Sequence, residues 1–308
     1  MSIPSTLSNV GVAIIAPSGY APDEAAFVNT VNTLREQGCR ICKGYEPSEK
    51  HQRFGGTDEV RLAQLHAAAR DPDVQIVLAL RGGYGVTRLL PHIDFDLLAR
   101  SGKLFVGHSD FTALQMGLLS RTGAISFSGP MVCGDFARSD VSDFTMRHFW
   151  ECITQAAYTI KAEVTGNPAV DVSGTLWGGN LSMLTHLVGT PYLPSIEGGI
   201  LFIEDVNEHP YRVERMLMQL FHAGVLQRQR ALLLGEFSSY RLAEYDNGYD
   251  FDAMLAYIRK TSGIPVVSGL PFGHVKDKVT LAVGASARLT SDAGSFTLQM
   301  SGYPHLTT

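Results

Sequence analysis

Through its first 150 residues the chain alternates short apolar runs with amphipathic stretches, and this rhythm limits the possible folds more than any other feature. Val10-Gly-Val-Ala-Ile-Ile-Ala16 is continuously apolar, as a strand covered on both faces should be. Pro17-Ser-Gly-Tyr20 turns the chain. Pro22 to Gln37 then reads as a helix, with proline at its start and Gly38 after its end. Arg40 to Gly44 reads as a second strand. Thr57 to Arg70 reads as a second helix, with Val60, Leu62, Leu65 and Ala69 on roughly one side. Val74–Leu80, Leu104–Gly107 and Ala124–Ser128 continue the series of strands. Strands alternating with helices predict a parallel sheet with helices on both faces. Ligands of such sheets bind beyond the carboxyl ends of the strands, where the loops 81–85 and 107–110 fall.

After about residue 150 the rhythm changes. Tyr158 to Val164 alternates like a strand, and Gly166-Asn-Pro-Ala169 has the composition of a linker. A helix near 180–189, a strand over Gly199–Ile203 and a long helix over 210–224 follow. Strands are expected near 231–235, 264–268, 279–283, 286–290 and 295–300, the last three antiparallel because no helix separates them. The predicted class is α/β: an N-terminal, mostly parallel sheet with helices on both faces, then a C-terminal mixed α+β domain with an antiparallel β portion. The expected boundaries are 1–160 for the first domain, 161–175 for a linker and 176–308 for the second.

Composition narrows the function. A length of 308 residues allows about two domains, and 45% hydrophobic against 18% charged residues is the balance of a globular chain with a large core. A formal net charge of -5, with no Lys/Arg block, argues against a nucleic-acid partner. No segment reaches the roughly 18 apolar residues of a membrane helix. Met1–Ser8 carries no charged leader region. A cytoplasmic protein that does not engage a membrane is therefore expected. Cys39-Arg-Ile-Cys42 could be a redox pair or half a zinc site, but it falls on a strand, and no second C-x-x-C or spaced histidine pair accompanies it. Buried free thiols are the better reading, so neither metal nor cofactor is expected.

The chemistry concentrates in Lys103-Leu-Phe-Val-Gly-His-Ser-Asp-Phe-Thr-Ala-Leu114. A strand runs into Ser109 and a helix starts at once. On such a turn a serine hydroxyl stands above the sheet edge, with a helix N-terminus behind it that favours negative charge. The spacing is not G-x-S-x-G, and serine is also a good helix cap. Arg81-Gly-Gly-Tyr-Gly85 follows a strand, lacks the G-x-G-x-x-G order, and reads as a substrate-cradling or oxyanion loop or as an ordinary tight turn. Among ten histidines, His274 in Pro271-Phe-Gly-His-Val275 has the best setting for a base, on a loop after an apolar strand. Glu204, Asp205 and Glu208 end another strand. Any of them could orient an imidazole or serve the helix that follows.

Together these pieces resemble the LD-carboxypeptidases, serine peptidases that trim murein peptides. The resemblance covers nearly the whole chain, through Ala16-Pro-Ser-Gly19, Arg81–Gly85, Gly107-His-Ser-Asp110, Trp177-Gly-Gly-Asn180, Ile203-Glu-Asp-Val-Asn-Glu-His-Pro-Tyr-Arg-Val-Glu-Arg-Met-Leu217 and Gly273-His274. It implies a triad of Ser109, Glu204 and His274, with the nucleophile on the first domain and the other two on the second. It implies hydrolysis of the amide between meso-diaminopimelate and the terminal D-alanine of a murein tetrapeptide, and a homodimer. The oxyanion would rest on the backbone N–H of Asp110 and of Gly83. Arg81, Gly82, Tyr84, Trp177, Asn180, Glu208 and Arg212 are candidate substrate contacts. The microcin-immunity branch of the family, which cleaves a peptidyl-nucleotide amide, and a non-catalytic murein-peptide binder are the alternatives.

Overall fold

The computed structural model describes residues 9–36 and 38–307. The expectations drawn from Met1–Ser8 and from a helix end at Gln37 lie outside them. Along the first half run β1 (Gly11–Ile15), α1 (Glu24–Glu36), β2 (Arg40–Ile41), α2 (Asp58–Arg70), β3 (Ile76–Ala79), α3 (Val86–Leu89), α4 (Phe95–Arg100), β4 (Leu104–Gly107), α5 (Thr112–Thr122), β5 (Ser126–Ser128) and α6 (Asp143–Thr154). The second half continues with β6 (Ala157–Glu163), β7 (Val170–Asn180), α7 (Leu181–Leu187), β8 (Ile200–Val206), α8 (Pro210–His222), β9 (Ala231–Ser238), α9 (Phe251–Thr261), β10 (Val266–Ser268), β11 (Leu281–Val283), β12 (Ser286–Ser291) and β13 (Ser295–Ser301).

β1 to β5 pair in parallel in the order β5-β4-β3-β1-β2, and β1, β3 and β4 are buried at every position. The second sheet is mixed: β10-β9-β8-β7 are parallel and β12-β13-β6 continue it antiparallel. Both sheets match the predicted class. Among the described residues, no helix is long and apolar enough to cross a membrane.

Three details depart from the sequence reading. Most of the expected linker, 161–175, is strand: the end of β6 and the start of β7, leaving 164–169 between them. β6 also lies in the second sheet, on its edge beside β13, although its first four residues, Ala157–Ile160, were expected in the first domain. β11 pairs antiparallel, as expected, but with β5 of the first sheet. Alternation along a strand says which face is buried, not which sheet edge is open to receive it. On α2 the buried positions include Arg61, which is fully enclosed. Its guanidinium donates to the carbonyls of Pro17 and Gly85, tying together the loops after β1 and β3.

The thiols are free, as expected. Cys39 is buried and Cys42 half-buried, just outside the ends of the two-residue β2, and burial pushes the Cys39 thiol up to about 11.

Candidate active site

Ser109 sits just past the end of β4. Its backbone takes φ 61°, a conformation costly to a residue with a side chain and common where a nucleophile is presented. The turn is pinned from below. Asp110 is buried, and its Oδ2 accepts from Ser18 Oγ at 2.6 Å and from the Val86 N–H at 3.0 Å. One carboxylate thus joins the loops after β1, β3 and β4. Burial raises the Asp110 carboxyl above its ordinary value, although these hydrogen bonds and Arg61 oppose the shift. Gly82 packs against the serine so closely that a Cβ there would lie 2.8 Å from Ser109 Oγ and 3.4 Å from the Asp110 nitrogen. That close approach is why the loop carries glycine at this position.

His274 comes from the long connection between β10 and β11. Its Nε2 lies 3.0 Å from Ser109 Oγ and its Nδ1 lies 2.7 Å from Glu204 Oε2. A carboxylate only accepts, so Nδ1 carries the proton and the Nε2 lone pair faces the serine hydroxyl. Gly273 takes φ 150°, and a Cβ there would lie 3.0 Å from the Glu236 carbonyl oxygen and 3.4 Å from Glu204 Cβ. Glu204 lies where the register of β8 against β9 shifts between Ile203 and Asp205, and such irregularities re-aim side chains beside active sites. Its carboxylate is fully buried, with Asn180 Nδ2 donating to Oε1 at 3.2 Å. For His274, burial works to lower the pKa, but the hydrogen bond and charge of Glu204 outweigh it, and the net shift is upward.

These groups open into a cleft of about 600 Å³ between the two halves, lined also by Arg81, Gly83, Asn207, Arg138, Lys276 and Lys278. Among the described residues, four cations and no carboxylate face it. Lys278, almost fully buried, pairs with Asp135 at 2.5 Å. Asp140 holds both Lys276, at 2.8 Å, and Arg138, at 3.1 Å, and those cations pull its carboxyl down to about 2. Arg81 has no ion pair among the described residues. No group of three or more His, Cys, Asp or Glu side chains among them could hold a metal ion.

The remaining sequence candidates lie elsewhere. Trp177 is core, its Nε1 donating to Gln229 Oε1 at 2.9 Å. Asn180 is buried, caps α7 and bridges Glu204 and Asp205, so it supports the site from behind. Tyr84 is exposed and packs on Phe54. Glu208 and Arg212 pair with each other at 3.7 Å at the start of α8 and do not line the cleft. Their place in the motif marked them, but Glu208 is half-buried just before α8 and Arg212 is exposed on its first turn. Sequence reasoning missed Arg138, Asn207, Lys276 and Lys278. Single cations in loops carry no spacing signal, and only the folding of 135–140 against 274–278 brings three of these together.

The fold and the site define a two-sheet α/β protein with a serine, a histidine and a buried carboxylate in hydrogen-bonded series, the arrangement of serine hydrolases. Family models for the LD-carboxypeptidase N-terminal and C-terminal domains match residues 12–129 and 173–289. A probable murein peptide carboxypeptidase of Bacillus subtilis is 32% identical over 91% of this chain and 88% of its own length. The chain belongs to the LD-carboxypeptidase family. The crystal structure of muramoyltetrapeptide carboxypeptidase from Oxalobacter formigenes is 55% identical, with a TM-score of 0.92 over 96% of this chain and 100% of that one. The microcin C7 self-immunity protein MccF of Escherichia coli is 26% identical over 86% of each chain.

Proposed function

We propose that this protein is a serine carboxypeptidase that hydrolyses the amide between the L-centre of meso-diaminopimelate and the terminal D-alanine of murein tetrapeptides, in the cytoplasm, as a step in peptidoglycan recycling. The observation that carries the reading is the unbroken series Ser109–His274–Glu204 at 3.0 and 2.7 Å inside a cation-lined cleft. In this reading Ser109 Oγ attacks the scissile carbonyl while His274 Nε2 takes its proton. The oxyanion is held by the N–H groups of Asp110 and Gly83. Collapse breaks the C–N bond, and the leaving amine takes the proton from His274. Glu204 fixes the imidazole tautomer and offsets its charge. Water then repeats the sequence on the acyl-enzyme.

The four cations suit a substrate rich in carboxylates, with Arg81 the best placed to receive one in the bidentate manner of arginine. A peptidyl-nucleotide substrate is less well served, because among the described residues no tryptophan, tyrosine or phenylalanine lines the cleft to stack a base. We also propose a homodimer, which light scattering after size exclusion would test.

The deciding experiment incubates wild type and Ser109→Ala with L-Ala-γ-D-Glu-meso-diaminopimelate-D-Ala and follows D-alanine by mass spectrometry. Release by the wild type alone, unaffected by EDTA, is expected. Turnover that survives Ser109→Ala but stops with EDTA would sink the reading.

A further inference from the structure

His108 precedes the nucleophile and has no part in the Ser109–His274–Glu204 series. It is 3% exposed and lines the cleft. Its Nδ1 lies 2.9 Å from the carbonyl oxygen of Gly129. A carbonyl only accepts, so Nδ1 carries the proton of the neutral ring, and Nε2 is left as a lone-pair acceptor. That nitrogen has no hydrogen-bond partner among the described residues. The ring stands edge-on to His274, with centroids 5.3 Å apart and planes at 73°. Burial, reinforced by the charge of Lys278, holds the His108 pKa well below its ordinary value, so the ring stays neutral at working pH.

The reaction proposed above calls for such an acceptor. When the tetrahedral intermediate collapses, the C–N electron pair stays on nitrogen, which takes its new proton from His274 Nε2. The nitrogen must then lie within hydrogen-bond reach of His274, beside the His108 ring. Its remaining N–H becomes a stronger donor as positive charge develops. The cations lining the cleft can only donate, and among the described residues no carboxylate lines it. Apart from Ser109 and His274 themselves, the side-chain oxygen or nitrogen acceptors there are His108 Nε2 and the Asn207 amide.

We propose that His108 is a further catalytic residue, its Nε2 accepting a hydrogen bond from the N–H of the leaving nitrogen as the scissile bond breaks. This rests on the carboxypeptidase reading. It predicts a dependence on the leaving atom, because an ester leaves through oxygen and has no N–H to offer. The test compares the tetrapeptide with its depsipeptide analogue, in which D-lactate replaces D-alanine. His108→Asn keeps a donor toward Gly129 and removes the acceptor at the Nε2 position. His108→Gln places an amide oxygen near that position.

On the amide, His108→Asn is expected to lower kcat/KM roughly tenfold, the size of one hydrogen bond made only at the transition state. The ester rate should stay within about twofold, and His108→Gln should recover part of the amide rate. Labelling of Ser109 by a fluorophosphonate at the wild-type rate checks that the nucleophile is intact. If His108→Asn does not fold, the same comparison is made with His108→Leu, which also removes the acceptor and should lower the amide rate by a similar factor with the ester rate unchanged. Equal losses on amide and ester would mean that the ring only packs against Ser109 and His274, and no loss on either would mean that Nε2 is idle; both overturn the proposal. A wild type that cleaves neither substrate overturns the carboxypeptidase reading instead.

Discussion

Glu204 is the residue on which the electrostatics of the site turn. It raises the His274 pKa against the burial that would lower it. A base must be unprotonated to act, so the acid limb of kcat/KM should lie above the pH expected for an ordinary imidazole. In Glu204→Gln the amide would turn its oxygen to Asn180 Nδ2, which can only donate, and its nitrogen to His274 Nδ1. That imposes the wrong tautomer. The expected loss in kcat is on the order of 10⁴, with the acid limb moved to lower pH; an unmoved limb would mean that Glu204 does not tune the base. The same shift links protonation to stability. Protonated His274 stabilises the fold fully below the imidazole pKa of the unfolded chain, and that contribution is lost as pH rises through the higher folded value. At this scale the local contexts marked Ser109 and His274 as candidates and left Glu204, Asp205 and Glu208 open, so the family resemblance had to choose among the carboxylates. Trp177 and Asn180 lie in a motif that marked them too, but it serves packing and support, a difference invisible without burial.

Among the elements, the N-terminus of α6 does more than begin a helix. Ser142 caps it and also donates to Asp277 at 2.5 Å. Thr145, fully buried, donates to the Lys276 carbonyl at 2.8 Å and accepts from the Lys278 N–H at 2.9 Å. The connection that carries His274 has no regular structure of its own, so this helix end holds it in place. Thr145→Val keeps the shape but strands two backbone groups. It should cost about 1–3 kcal/mol in a urea titration and slow fluorophosphonate labelling of Ser109, with Thr145→Ser restoring both. A full loss of stability with normal labelling would show that the clasp does not position the histidine. The capping serine can be read from sequence, but its second partner, 135 residues away in the chain, cannot.

For the whole molecule, each half completes the other. β11 leaves the C-terminal half to cover the edge of β5, and the buried Lys278–Asp135 pair crosses the same boundary. Removing one partner of such a pair leaves a buried unpaired charge and typically costs about 3–5 kcal/mol. Unfolding should therefore be a single event. Trp150 lies on α6 and Trp177 in the second sheet, so Trp150→Phe and Trp177→Phe each leave one reporter. Their fluorescence transitions in urea should coincide with each other and with the circular dichroism. Two separated midpoints would mean that the halves fold independently.

The sequence by itself determined the two kinds of sheet, the strand-to-turn setting of Ser109 and the local contexts of Glu204 and His274. Apolar periodicity and glycine placement act within a few residues and leave their record there. The tertiary structure alone decided that β6 and β11 cross the expected domain boundary, that Arg212 does not line the cleft, and that Arg138, Lys276 and Lys278 converge on it. Those outcomes depend on which sheet edges and loop carbonyls remain unpaired once the rest of the chain has packed. That competition runs between segments more than a hundred residues apart and leaves no local mark.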